Sequence, residues 1–428
     1  MRLGPAAYHP IVSKSRLFGV AASVTLVTSL FVVLPHLGAQ EEEPGTKSKE
    51  TKGEKEGKDG LYRPLGLFTE VLTLVRSNYV EPVEMKPLLS AAFSGMTEAM
   101  DPFAEYIPAD QMAAFRAAES AREKGEVVEP GVVLARRLGY PLVVSAVAGG
   151  PAAAAGLESD DLIEKVGGKP VHQMPMWEVQ SLLSGKPGMK VEVLVVREAK
   201  PRHRTFTITL HSWTPEGPKT ERISGETVVR IPDFAPGTAA ALKSLISPLD
   251  RTKPLIVDLR GNAFGSYDEA AKAVGLFVPA GPIGELKGRK VEGKKWAAVE
   301  GERIHESPVV VLVDTGTGGP AELFAAAIRE SEKATLKDQK KVRLVGEPTF
   351  GAGSVLEVVP LSSGGALKLS VAKVHTAGGR ALSPKGLEPD DRVYVMPPEE
   401  GQPSPPDVIL QRGVKLLAEM AARSKIAS

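Results

Sequence analysis

The 428-residue chain contains no cysteine, which excludes disulfides, thiol catalysis and thiolate metal sites together. Its seven histidines are scattered, and none forms an H-E-x-x-H pair or a similar ligand spacing, so neither a metal centre nor a cofactor is expected. Charge of one sign is also missing: 53 Lys and Arg stand against 52 Asp and Glu, a formal net charge of +1. With no basic block interleaved with aromatics, this balance gives no reason to expect a nucleic-acid partner. Aromatic residues make up only 5% of the chain, and an apolar run of membrane length occurs once, near the N-terminus.

That run, LFGVAASVTLVTSLFVVL (residues 17–34), follows Lys14 and Arg16 and precedes the acidic Glu41, Glu42 and Glu43. A basic flank, an apolar segment and an acidic flank read as an export signal or an uncleaved membrane anchor. Leu37, Gly38 and Ala39 make a passable cleavage site. Residues 1–39 are therefore expected to direct the rest of the chain out of the cytoplasm, in a bacterial-type cell envelope, anchored or secreted. Residues 40–62 are rich in Glu, Lys and Gly and hold too little apolar surface for a core, so they read as a charged flexible linker.

Three further regions follow. Residues 63–125 read as a helical domain, with Leu67, Val71, Leu74 and Val75 on one helical face expected to pack. Residues 126–212 shift to short strands, GVVLARR and PLVVSAV, then a helix MWEVQSLLSG, then VEVLVVRE and TFTITL. Residues 213–428 alternate strands and helices, and continuous apolar strands such as VVVLV indicate a sheet covered on both faces. The expected class is a multidomain α/β (α+β) protein.

In the second region, GGPAAAAGLESDDLIEKVGGKPV (residues 149–171) resembles the PDZ family's small-residue helix, glycine, acidic turn and strand ending in a glycine hairpin. The resemblance implies binding of protein C-termini as an added strand, the terminal carboxylate held by backbone amides. The matching loop is Pro130, Gly131, Val132 and Val133. Pro130 has no N–H, which leaves that nest one donor short. Val179 and Leu183, four apart on the helix, are either groove-lining or core.

From about residue 65 to 417 the chain resembles the C-terminal-processing (tail-specific) serine peptidases. NYVEPVE…GMTEAMDPFAEYI is similar to that family's N-terminal dimerisation and cap segment. VDLRGNAFG is similar to its D-L-R-N-N-P-G-G turn, and GALKLSVAKVHTAGGRALSPKGLEPD to its late hairpin and K-G-I-x-P-D turn. The resemblance implies a ClpP/crotonase-like α/β peptidase domain behind the PDZ-like one.

The chemistry departs from the family at the stretch VLVDTGTGGPAELFAAAI (residues 311–328), which reads as a buried strand, a glycine turn and an amphipathic helix. Gly316, Thr317 and Glu322 align it with the family's G-[ST]-A-S-A-S-E, which puts Gly319 at the nucleophile position and Pro320 at the oxyanion-donor position. Phe350, Gly351, Ala352 and Gly353 align with F-G-K-G, which puts Ala352 at the lysine position. Glycine cannot attack, alanine cannot deprotonate and proline has no N–H to give. Gly318 and Gly319 still permit the bend, and Pro320 suits the first turn of a helix.

Fallback groups on neighbouring turns are Thr317 and Ser354, with Ser266 beside them and Lys333, Lys337, Lys340 and Lys341 in a basic insert. Two readings remain. One is a non-catalytic binder of C-terminal tails or unfolded polypeptide, a homo-oligomer or a regulator of an active paralogous peptidase. The other is an active tail-specific endopeptidase with relocated catalytic groups.

Overall fold

The computed structural model describes residues 52–197, 202–331, 341–395 and 406–427. The chain divides into two compact units after Glu81, a division that cuts across the expected helical domain of residues 63–125. The described part of the first unit is helix α1 (Lys52–Asn78). Residues 52–62 of the expected flexible linker are thus helical, in keeping with the good helix propensity of Glu and Lys. Leu67, Val71 and Leu74 on its apolar face are about half exposed or more, so the packing expected of that face is not seen. The expected export segment, residues 17–34, lies outside the described residues. Among those residues no helix is long and apolar enough to cross a membrane.

The second unit opens with α2 (Met85–Glu98), strand β1 (Glu105–Ile107) and α3 (Met112–Glu123). The PDZ region supplies β2 (Val132–Arg137), β3 (Tyr140–Ala146), α4 (Pro151–Ala155), β4 (Leu162–Val166), β5 (Lys169–Pro170), α5 (Met176–Leu183), β6 (Lys190–Arg197) and β7 (Arg202–Thr209). Its sheet runs β2-β3-β4-β6-β7, with β5 on β4, so β2 is an edge strand. Val143, Ile163, Val193, Val195 and Ile208 fill the core of this domain beneath α5.

The remainder begins with β8 (Lys219–Ile223), β9 (Glu226–Arg230), α6 (Thr238–Ile246), β10 (Leu255–Asp258), α7 (Tyr267–Gly275), β11 (Gly281–Gly288), β12 (Lys295–Ala298) and β13 (Val309–Val313). Helix α8 (Pro320–Glu330), β14 (Val342–Gly346), β15 (Ser354–Pro360), β16 (Ala366–Thr376), β17 (Asp391–Arg392) and α9 (Val408–Ala427) complete it. One sheet runs β17-β14-β13-β10-β9-β8, parallel throughout except for β8. The apolar strands predict a sheet buried on both faces, and this is what forms: Val311 and Val313 face the core that holds α6, α7 and α8, while Val310 and Leu312 face α9. A second, antiparallel sheet runs β1-β16-β11-β12, with β15 also on β16.

Helix α8 lies between the two sheets. The expectation of an amphipathic helix is corrected here: from Pro320 to Ile328 every residue is buried. Its four alanines let strands approach on one side and α7 on another, while Phe324 fills the space between Phe234 and Phe277, ring centroids 5.6 and 5.5 Å away. Truncating that ring opens a cavity no neighbour can refill. Phe324→Ala is expected to lower stability by about 3 to 5 kcal/mol, read as a shift in the guanidinium midpoint of the purified chain.

Candidate peptide cleft and strand-to-helix turn

Strand β13 ends in the core, and the chain must reverse within a few residues to start α8. Gly319 makes that reversal with φ 53° and ψ −114°, backbone angles open to glycine and strained for any other residue. A Cβ at this position would find Tyr267 Oη no closer than 3.6 Å, so there is room for a side chain even though the backbone resists one. Pro320 occupies the first position of α8, where its missing N–H costs no helical bond.

The turn is held by Glu322, the third residue of α8. Its carboxylate is fully buried and accepts the amides of Gly319 at 2.8 Å, Gly351 at 2.8 Å and Ala352 at 2.9 Å, together with the Thr349 hydroxyl. One side chain thereby ties the nucleophile-position turn to the lysine-position turn. Burial pushes the Glu322 carboxyl up to about 7, against the four hydrogen bonds that favour its charged form. In the sequence Glu322 only fixes an alignment; its spacing from Gly319, as in a capping box, is the signal that it returns to the turn. Tyr267 completes this floor by donating to the Ala352 carbonyl at 3.1 Å.

Gly319, Pro320 and Ala352 come together in the wall of one cleft of about 360 Å³, with Tyr267 and Ser354. The same cleft is lined by Val132, Val133 and Leu134 of β2 and by Met176 and Gln180 of α5. The free edge of the PDZ sheet and the strand-to-helix turn are therefore one continuous surface. Gly131 lies behind the groove at φ 73°, and a Cβ there would fall 2.8 Å from the Trp213 ring. Pro130 gives its carbonyl to the Ala152 amide.

Several expected residues are placed elsewhere. Val179 and Leu183 are 0% and 1% exposed in the PDZ core; the groove face of α5 is Met176 and Gln180, one position removed around the helix. Thr317 is also fully buried. Its hydroxyl lies 3.0 Å from the Leu259 carbonyl and 3.0 Å from Asp314 Oδ1, and it receives the Asp314 amide at 3.0 Å. That is a pin between strand ends, out of reach of any substrate. Ser266 caps α7 by accepting the Glu269 amide at 3.2 Å. Ser354 does line the cleft, but its Oγ is buried and hydrogen-bonded to nothing among the described residues. Lys368, the lysine in the cleft wall, pairs with Val358, about 13 Å along β15 from Ser354 at ~3.3 Å per residue. Lys333, Lys337 and Lys340 lie outside the described residues, and Lys341 is exposed at the approach to β14.

An edge strand and helix for holding a peptide end, opening onto a strained strand-to-helix turn under a parallel sheet, define the scaffold of a PDZ-bearing, tail-directed serine peptidase. Comparison with known proteins agrees. Residues 227–393 match peptidase family S41 and residues 142–197 match the PDZ domain. The chain is 33% identical over 321 residues to the carboxy-terminal processing protease CtpA of Bacillus subtilis, covering 74% of this chain and 66% of that protein. It is 28% identical over 347 residues to the carboxy-terminal-processing protease of Bartonella bacilliformis, covering 79% and 77%. Among solved structures it is similar to the photosystem II D1 C-terminal processing protease, with a TM-score of 0.58 and 26% identity over 76% of this chain and 86% of that one. The chain belongs to the S41 C-terminal-processing peptidase family and carries a PDZ domain. It spans just under two thirds of the length of the Bacillus relative and 62% of a CtpA-like relative from Staphylococcus haemolyticus.

The Glu322 carboxyl gives a pH test. It titrates near 7 in the folded chain against 4.5 for the free group, so between those values the folded state holds more protons than the unfolded one. Stability is then highest at the acid end of this window and falls as pH rises through 7. Unfolding titrations at pH 5 and pH 8 are expected to show this loss, and Glu322→Gln, which cannot titrate, to reduce it while lowering stability at both values by about 1 to 3 kcal/mol through its mismatched amide.

Proposed function

We propose that the protein is a non-catalytic member of its family, which holds C-terminal tails of other polypeptides in the PDZ groove and does not hydrolyse them at the S41 site. The observation that carries the reading is the convergence of Gly319, Pro320 and Ala352 on the wall of the cleft that the groove opens into. Hydrolysis there needs an activated hydroxyl, a base to take its proton and donors for the oxyanion. These three positions supply none of the three. The groove keeps what binding needs: a strand edge at β2 that is open up to Arg136, and a facing helix that presents Met176 and Gln180.

Export rests on the basic, apolar and acidic order of residues 14–43. Outside the cytoplasm, tails of envelope proteins are the natural occupants, and an active paralogous peptidase or a second copy of the chain is the further partner that the helical N-terminal segment suggests. The competing reading, hydrolysis by relocated groups, retains one residue in the cleft, Ser354.

The paired test uses the full chain with an unfolded protein ending in an apolar residue, and with the matching tail peptide. Tail binding is expected to weaken by tenfold or more, roughly, when the peptide's C-terminus is amidated, with no cleavage of the protein. Cleavage that disappears in Ser354→Ala overturns the proposal. A constructive version follows from the room beside Gly319. Gly319→Ser alone is expected to remain inactive for want of a base. Adding Pro320→Ala and Ala352→Lys is expected to raise hydrolysis by at least about a hundredfold over that single variant.

A further inference from the structure

Glu105 is a member of the cap segment, not of the PDZ domain, yet it stands at the head of the PDZ groove helix. It is 5% exposed and lines the cleft. One carboxylate oxygen, Oε1, accepts the amide of Met176, the first residue of α5. The other, Oε2, is buried and has no hydrogen-bond partner among the described residues. An acceptor left in that condition is costly, and burial pushes the Glu105 carboxyl above its ordinary range against Lys368, the Met176 and Trp177 amides and Arg136.

The backbone around it limits where a tail reaches. Strand β2 is free along its outer edge only as far as Arg136, whose amide already donates to the Pro102 carbonyl at 2.8 Å. A tail whose carboxylate sits at Gly131, Val132 and Val133 therefore adds to the first half of β2 and meets Pro102, Glu105 and the head of α5 within its last few residues. The charged groups lining the cleft are Glu105, Arg136 and Lys368. Arg136 is engaged with the carbonyls of Met174 at 2.7 Å and Gly139 at 3.3 Å, and Lys368 stands opposite Glu105 in the ladder between β1 and β16. A cationic tail residue placed here would be the third positive charge around one carboxylate. An acidic one would face the carboxylate itself. A neutral donor satisfies Oε2 and meets neither repulsion.

We propose that Glu105 Oε2 accepts a hydrogen bond from a neutral donor side chain, a hydroxyl or carboxamide, near the C-terminus of the bound tail, so that a residue outside the PDZ domain sets the specificity of its groove. The inference rests on the tail-binding reading above and names the class of tail it selects.

The test is a scan of labelled alanine peptides with a free C-terminus against the full chain by fluorescence anisotropy. Each of the second to fifth residues from the end is replaced in turn by Thr, Val, Lys or Asp. At one position Thr is expected to bind roughly tenfold tighter than its isostere Val, with Lys and Asp no tighter than Val. In Glu105→Ala the gap between Thr and Val is expected to close to within about twofold, while the preference for a free over an amidated C-terminus persists. Should that variant fail to fold, the comparison of peptides on the unaltered chain decides alone. Equal binding of Thr and Val at every position, tightest binding by Lys, or a gap that survives in Glu105→Ala overturns the inference and leaves tail binding standing. Binding indifferent to amidation overturns tail binding and this inference with it.

Discussion

The buried carboxylate of Glu322 is the contact on which the site's shape depends. It sits where desolvation is most costly, and it is kept there by three backbone amides and a hydroxyl that have no other acceptor within the turn. Because two of those amides belong to residues 351 and 352 and one to Gly319, the strained reversal into α8 and the loop after β14 are set relative to each other by one group. Gly318 adds a second constraint by donating to the Asn262 carbonyl at 2.8 Å. None of these bonds involves a side chain at positions 319, 320 or 352, so the shape of the elbow does not depend on which side chains stand there.

The PDZ groove and the peptidase domain share a cleft because a short strap joins them. Pro102 closes the free edge of β2, and Phe103 packs edge to face on Phe350, ring centroids 5.9 Å apart, beside the lysine-position loop. Glu105 holds the head of α5, and β1, which contains it, is a strand of the peptidase domain's second sheet. On the opposite side the Ser145 hydroxyl donates to the Gly261 carbonyl, and Thr315 donates to Asp160 at 2.5 Å. The groove helix is thus fixed to the sheet beneath the strand-to-helix turn through backbone and carboxylate contacts.

Much of this was legible in the sequence where local pattern and tertiary environment coincide. The unbroken apolar strands at Leu255–Asp258 and Val309–Val313 announce a sheet buried on both faces, and the glycines before Pro320 announce a sharp turn at a helix start. The failures fall where environment overrides pattern. Helix α8 carries Glu322 and Arg329 at a spacing that reads as one polar face, but the carboxylate turns back to its own N-terminus, so the helix is enclosed on all sides. Val179 and Leu183 have the right spacing for a groove, and Met176 and Gln180 have it equally; only the burial of Val179 and Leu183 in the PDZ core decides between the two stripes. The short Glu105–Ile107 strand could not be read from PFAEYI, since its partner Ala366–Lys368 lies some 260 residues downstream, and no local signal records a pairing of that range.

The substitutions at the turn also have a direction in energy. A side chain at φ 53° with ψ −114° stores about 1 to 3 kcal/mol of backbone strain, which glycine relieves. Proline at the first position of a helix narrows the unfolded ensemble without breaking a native hydrogen bond. Alanine at the lysine position removes an amine that would be held partly desolvated beside the apolar walls of the cleft. Glycine, proline and alanine at these three positions thus favour the folded state by relieved strain, a narrower unfolded ensemble and avoided desolvation, whatever they do to chemistry.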